Sequence, residues 1–331
     1  MTSRRTPVTG VLIALVSSVF LLASCGTTEE AAAPGDRTTP ADKAAPVSVT
    51  DSRGKKVTLK DGPAERVIAL EWSEVEDLVT LGVMPVGIAD PKGFATWNAA
   101  VQLDDSVKDV GSRGEPSVDS IVALEPDVVI VEPDRGEALI RVLEEQVPVI
   151  VIEGSDASNN IAQMKGNFTL IAKAVGKEDK AATVVAEFDE ALAAGRKKLA
   201  AAGVAGEGFA MADGWMEGSS VSIRMFGKGS LMSDIAEELG LENQWKAKVD
   251  PTWGLGQTDV EGLTALKDVH FFYSASEDDV FAEGLADNAI WTSLPFVKDK
   301  QLYKLDDGTW TFGGPRSCIS FIDQVVKALA P

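Results

Sequence analysis

From residue 63 onward the chain alternates short apolar runs with stretches whose apolar positions recur every three or four residues. The runs at 67–70, 128–131 and 149–152 are nearly pure Val, Ile, Leu and Ala, the composition of strands buried on both faces. Residues 73–81 carry Val75, Leu78 and Val79 at helical spacing and stop at Gly82, and 137–145 reads as another helix. An extended segment is predicted at 83–89, followed by a long polar loop at 90–109 that contains Phe94 and Trp97. Ahead of this rhythm, 47–59 alternates apolar and polar residues around Asp51-Ser52-Arg53-Gly54, the pattern of a small hairpin. Helical spacing continues over 159–175. Residues 178–202 then place Ala181, Val184, Val185, Phe188, Leu192 and Leu199 on one face of an unbroken helix, about 37 Å long at 1.5 Å per residue. Beyond 205 the alternation resumes, with strands predicted at 209–212, 221–226, 269–273 and 301–305 and helices at 230–239, 289–294 and 317–329. The pattern is that of an α/β protein with mostly parallel sheets. Its long helix reads as a strut between an N-terminal lobe at 47–177 and a C-terminal lobe at 203–331; the alternative is an ordinary surface helix.

An internal duplication favours the strut. Residues 110–131 (VGSRGEPSVDSIVALEPDVVIV) contain a Gly-bracketed arginine, Arg113, then a short helix and a strand. A looser copy, VEGLTALKDVHFF, occupies 260–272. Aligned without a gap, Val118, Asp119, Ala123 and Leu124 fall on Val260, Glu261, Ala265 and Leu266. Each copy thus carries a carboxylate early in its helix. Singly, Asp119 and Glu261 are unremarkable favourable charges near a helix N-terminus; as a pair at matching places they read as docking points.

The ends and the charge narrow the setting. Arg4 and Arg5 precede an apolar run over 11–23 and then Leu22-Ala23-Ser24-Cys25, a short export signal that ends in small residues. The run is too short for a comfortable transmembrane span. Leu-Ala-Ser-Cys resembles the lipobox of bacterial lipoproteins, which makes 1–24 the signal and Cys25 the lipidated first residue of an exported, membrane-tethered protein. Residues 25–46, rich in Ala, Thr and Pro, read as a flexible tether. With Cys25 acylated, Cys318 has no disulfide partner and is expected to be a small buried hydrophobe. The net charge of −20 leaves no basic stripe for nucleic acid.

Candidate chemistry comes mostly by exclusion. The single histidine, His270, lies in an apolar strand and reads as a satisfied core residue. No Cys/His spacing suits a metal, so no protein-bound metal or cofactor is expected. No Gly-x-Ser-x-Gly elbow, P-loop or dinucleotide fingerprint is present, and nothing selects a catalytic carboxylate pair. What remains is a set of tryptophans predicted in loops, Trp72, Trp97, Trp215, Trp253 and Trp310. In an open α/β sheet such loops gather at the strand ends, where ligands bind. There an indole offers a broad apolar wall with one donor. Arg113 is the main polar candidate, since flanking glycines keep its loop open and a guanidinium grips oxyanions at any pH. The competing reading pairs it with Glu115 at the surface. Arg224, Arg316 and Tyr273 are further candidates.

Taken together, these residues resemble the class III solute-binding lipoproteins of bacterial ABC transporters, most of all the ferric hydroxamate siderophore-binding proteins. The likeness covers nearly all of 63–330. It rests on 66–90 with its Ala-Leu-Glu-Trp, on the Asp-Ser-Val…Asp-Val-Gly…Arg…Glu-Pro…Leu-x-Pro frame of 105–126, and on Gly229-Ser230-Leu231, Trp253-Gly254, Leu294-Pro295-Phe296-Val297 and Trp310. The resemblance implies two lobes around a shallow cleft, little hinge motion, and no catalysis. It implies that Arg113 grips the iron-chelating oxygens, that Trp97, Trp253 and Trp310 line the cleft, and that Asp119 and Glu261 dock a monomeric receptor on its permease. The 132–136 loop departs from the family by lacking a ligand-contacting tyrosine. Cobalamin or haem on the same scaffold is the alternative cargo, and an exported hydrolase the alternative class.

Overall fold

The computed structural model describes residues 44–218 and 220–331; the export segment, Cys25 and all but the last three residues of the tether lie outside the described residues. The predicted hairpin pairs Val47–Thr50 with Lys56–Leu59, and the buried Asp51 carboxylate ties its turn by accepting from the backbone N–H groups of Arg53 and Lys55.

Five parallel strands form the N-terminal sheet, in the order Lys108–Asp109, Gly87–Ile88, Val67–Ala69, Val128–Val131, Val149–Val151. Both faces of the central strands are covered. Val67, Ala69, Val128 and Ile130 join one core and Ile68, Leu70, Val129 and Val131 another, which is why these strands read as continuous apolar runs. From Val67–Ala69 the chain builds outward to one edge, then crosses back to Val128–Val131 beside its starting point. Strand order therefore reverses between these two strands, and a crevice opens at their carboxyl ends. The residues that follow them, Glu71-Trp72 and Glu132, are delivered to it.

The C-terminal sheet is mixed, a correction to the mostly parallel sheet expected there. Its order is Leu255–Thr258, Ser220–Phe226, Gly208–Glu217, His270–Ser274, Leu302–Lys304, with Glu242–Asn243 paired to the start of the third. His270–Ser274 runs parallel to its neighbours. Gly208–Glu217, however, turns straight back on itself through Gly218, at φ 64°, to form an antiparallel hairpin with Ser220–Phe226.

The helix Glu178–Ala202 is continuous and ends at Gly203, whose φ of 80° breaks it. Ala181 and Val184 pack into the N-terminal core, whereas Phe188 and Leu199 pack into the C-terminal one. One helix thus belongs to both lobes. Two other expectations are corrected. The 90–109 loop contains a helix, Pro91–Trp97, capped by Asp90, whose Oδ1 accepts from Gly93 N at 3.0 Å, and Phe94 is buried beneath it. Asp-Pro is a start signal, but seven residues are too few for a readable period. The second copy of the duplication forms only a 3₁₀ turn, Gly262–Ala265, where the first copy forms the helix Val118–Ala123. Asp119 and Glu261 are both exposed at these starts. Cys318 is a free, fully buried thiol in the C-terminal core.

A second tie between the lobes comes from a carboxyl group. Glu76, on the helix Trp72–Thr80, is fully buried, and its side chain accepts from Ser317 N at 2.9 Å, Ser317 Oγ at 2.5 Å and Asn98 Nδ2 at 2.7 Å. Ser317 opens the last helix, Pro315–Leu329, so the bond joins the N-terminal lobe to the C-terminal one. Gly313 and Gly314 make room for the acids: a Cβ there would fall 2.5 Å from Glu76 Oε2 and 2.1 Å from Asp77 Oδ1. Asp77 Oδ1 is buried without a hydrogen-bond partner, and burial, then Glu76 and Glu74, push its carboxyl well above the usual range.

A raised carboxyl keeps in the folded state a proton that the unfolded chain has already lost. Its share of stability is therefore whole below about pH 4 and falls as pH climbs toward the raised value. The thermal midpoint is expected to drop between about pH 5 and about pH 8, and Asp77→Asn should flatten that slope. Thermal unfolding followed by circular dichroism across this range checks it; a midpoint that rises with pH would contradict the assignment.

Candidate functional site

A cavity of about 640 Å³ lies where the carboxyl ends of the N-terminal strands face the C-terminal hairpin. Arg113 reaches it from a loop held shut at its base. Gly111, at φ 112°, bridges to Pro116, and Ser117 N donates to Val110 O at 2.7 Å. A Cβ at Gly111 would sit 2.9 Å from Glu115 O, so the turn requires glycine. The alternative surface pairing with Glu115 is not the one that forms. Instead Arg113 donates to Glu71 Oε2 from Nε at 2.9 Å and from Nη2 at 2.5 Å, with its guanidinium 4.3 Å from the Trp72 ring centroid. Trp72 is fixed in turn by donating to Ala89 O at 3.2 Å and by an edge contact with Trp310 at 5.0 Å.

The opposite wall repeats the arrangement. Asp213 and Arg224 lie across from each other in the hairpin register. Arg224 Nε donates to Asp213 Oδ1 at 2.9 Å and Nη2 donates to Oδ2, while the guanidinium lies 4.9 Å from the Phe312 ring. Each lobe therefore offers an arginine stacked on an aromatic and held by a buried carboxylate. Such a guanidinium is oriented in advance and still presents N–H groups to a ligand.

Trp97, at the end of its helix, also lines the cleft, as does Trp253. The Trp253 turn is rigid, because Asp250 accepts from the N–H groups of Thr252, Trp253 and Leu255, and Gly254 leaves no space for a side chain. Trp253 and Trp310 both make edge contacts with Phe312. Trp215 lines the cleft from a strand of the hairpin, not from a loop, and is 41% exposed.

Two candidates lie elsewhere. Tyr273 packs with Phe271 and Phe281 in a second apolar cluster of the C-terminal lobe, and its hydroxyl donates to Asp279 at 3.4 Å. Arg316 pairs with Glu187 of the long helix at 2.7 Å, because its neighbour Ser317 takes the inward direction toward Glu76. His270 is partnered, by Glu207 at 2.6 Å, but at the partly exposed start of its strand and not in the core.

The loop that lacks the tyrosine supplies charge instead. Arg135, in the turn Pro133–Arg135, forms an ion pair with Glu71 and lies 3.5 Å from Asp134. Only its place after a buried apolar run is readable in the sequence; that this strand adjoins the one preceding Glu71 comes from the fold. Around it the acids are perturbed. Burial raises the Glu71 carboxyl, with Arg113 opposing. Glu74 is pushed up to about 8 by burial and by Glu71. Glu132 is raised well above the usual range by burial, then by Glu74 and Glu71.

The cleft can hold a rigid oxyanionic ligand between two arginines and pack its hydrocarbon against indoles. Among the described residues, no three His, Cys, Asp or Glu side chains are grouped to hold a metal ion, and no helix is long and apolar enough to cross a membrane.

Similarity to known proteins covers the same region. Residues 67–309 match the family described as periplasmic binding protein. The iron(3+)-hydroxamate-binding protein FhuD of Escherichia coli K12 is 26% identical over 270 residues, 80% of this chain and 86% of FhuD. The Fe(3+)-citrate-binding protein YfmC of Bacillus subtilis 168 is 28% identical over 286 residues, 84% of each chain. Among solved structures, the Fe3+–Desferal-bound siderophore-binding protein FhuD of Vibrio cholerae superposes with a TM-score of 0.68 at 23% identity, covering 81% of this chain and 99% of that one. With its two α/β lobes, its shared helix and an open cleft between them, the chain belongs to the periplasmic binding protein family.

Proposed function

We propose that this protein is a lipid-anchored receptor that captures a ferric siderophore of hydroxamate type and hands it to an ABC permease. The observation that carries the reading is the facing pair of stacked arginines, Arg113 held by Glu71 and Arg224 held by Asp213, across a cleft walled by tryptophan. A ferric hydroxamate presents oxygens bearing partial negative charge around the metal and methylene arms outside it, and the two features of the cleft answer these two demands. The iron is cargo and stays wrapped in its chelator, so the protein needs no metal ligands and no cofactor of its own. No bond is made or broken.

The relatives named above bind ferric hydroxamate or ferric citrate. The cleft favours the hydroxamate. Asp134, Glu277 and Asp278 line it in addition to the acids that pair with the arginines, and a citrate complex rich in carboxylates would meet repulsion there. In this reading Cys25 tethers the receptor to the outer face of the membrane. Asp119, at the start of the Val118–Ala123 helix, and Glu261, before the matching 3₁₀ turn, are both exposed and meet basic residues of the permease.

Titration with ferric hydroxamates is expected to quench tryptophan fluorescence at sub-micromolar ligand, and Arg113→Ala to weaken binding about 10- to 100-fold through lost charge-assisted hydrogen bonds. Silence across hydroxamates, catecholates and mixed chelators would remove the reading. Reversing both Asp119 and Glu261 to lysine should abolish cellular uptake of the ferric ligand while its affinity for the purified protein stays unchanged. Uptake that survives the reversal would reduce the two acids to helix-end charges.

A further inference from the structure

We propose that Glu132 is the cleft's receptor for a cationic arm of the cargo, so that the protein selects ferric hydroxamates with a free ammonium over neutral ones of the same iron-binding core. This deepens the ferric-hydroxamate reading above and rests on it. Glu132 follows the strand Val128–Val131 at the point where strand order reverses, and it lines the cleft although only 4% exposed. Of the other acids lining the cleft, Glu71 and Asp213 are occupied by Arg113, Arg135 and Arg224. Among the described residues, the Glu132 side chain has no hydrogen bond and no ion pair of its own. Gly154 packs against it: a Cβ there would lie 2.3 Å from Glu132 Oε1 and 2.7 Å from Trp253 Cη2. The carboxyl therefore lies against Gly154 with the tip of the Trp253 indole close by, in the lining of the cleft.

A buried carboxyl without a partner is destabilising by itself, and an ammonium resolves the deficit with a compact charge and three donors. The groups around Glu132 are Glu71, Glu74, Asp134, Arg113 and Arg135. With Glu132 itself that makes four carboxyls against two guanidiniums; burial holds Glu74 and Glu132 toward their neutral forms, so the other two acids balance the guanidiniums and a further cation is matched by ionising Glu132. Glu277 and Asp278, on the other side of the same cleft, add negative charge at its rim and would draw a cation inward. Burial holds the Glu132 carboxyl toward its neutral form in the free protein, and an arriving ammonium displaces the proton to solvent. Preference for the charged ligand should therefore grow with pH, whereas affinity for a neutral analogue stays flat.

The test compares ferrioxamine B, which has a terminal ammonium, with its N-acetylated form, which has none, on wild-type protein and on Glu132→Gln. The wild type is expected to bind the ammonium form at least about tenfold more tightly. Glu132→Gln should erase that difference while keeping its affinity for the acetylated form, which also shows that the variant is folded. Equal binding of the two ligands by the wild type, or a preference that persists in Glu132→Gln, overturns the role of Glu132 and leaves the ferric-hydroxamate reading standing. Binding of neither ligand by the wild type overturns both. If Glu132→Gln binds neither ligand, the wild type decides alone. Its preference must widen from about pH 5 to about pH 8, and a constant preference overturns the proposal.

Discussion

The rest of the structure depends on a carboxyl group far from solvent. Glu76 gathers donors from the last helix, through the backbone and hydroxyl of Ser317, and from Asn98 at the end of the Pro91–Trp97 helix. These segments come from both lobes, so their separation is set by hydrogen-bond lengths of under 3 Å. Burying the acid is tolerable only with this complete set of partners. The two glycines at 313 and 314 let the chain pass close enough to make it possible. Trp310, Thr311 and Phe312, which immediately precede those glycines, line the cleft. The width of the ligand site and the closure of the lobe interface are thus one geometric fact.

Within that fixed frame, the cleft is organised by neutralisation. Glu71 answers Arg113 and Arg135 together, and Asp213 answers Arg224. Each carboxylate holds its guanidinium against an aromatic face, so little side-chain entropy remains to be lost when a ligand arrives. The same pairing weakens each arginine as a bare positive charge, which suits a ligand that needs oriented donors more than net attraction. What is left over is acidic, and it comes largely from Asp134 and the 277–278 rim.

Much of this was legible in the chain. The buried strands show as unbroken apolar runs, the strut as a 25-residue helix with one apolar face, and Arg113 by the glycines its loop requires. The legible features are local or periodic. What escaped depends on register between distant segments. Glu71 stands 42 residues before Arg113, and only the pairing of Val67–Ala69 with Val128–Val131 brings Glu71 beside the Arg135 turn as well. Tyr273 and Arg316 were drawn to the site by residue type alone. For Tyr273 the position in the sheet decides the outcome, since its strand is buried on both faces and Tyr273 packs with Phe271 on one of them. For Arg316 it is decided by one position on a helix, where Ser317 points inward and Arg316 does not. The hairpin Gly208–Glu217 and Ser220–Phe226 read as two separate strands, because nothing in an apolar run says whether its neighbour will be parallel.

The helix Glu178–Ala202 also bears on how the chain comes to be folded. Because Ala181 and Val184 complete one core and Phe188 and Leu199 the other, a polypeptide cut at either end of this helix would leave one half with an open seam of apolar side chains. The lobes are distinct in shape but not autonomous in assembly. A chain of this kind gains most of its stability only when both halves have closed on the same helix, so unfolding should be a single cooperative event and not the separate melting of two domains.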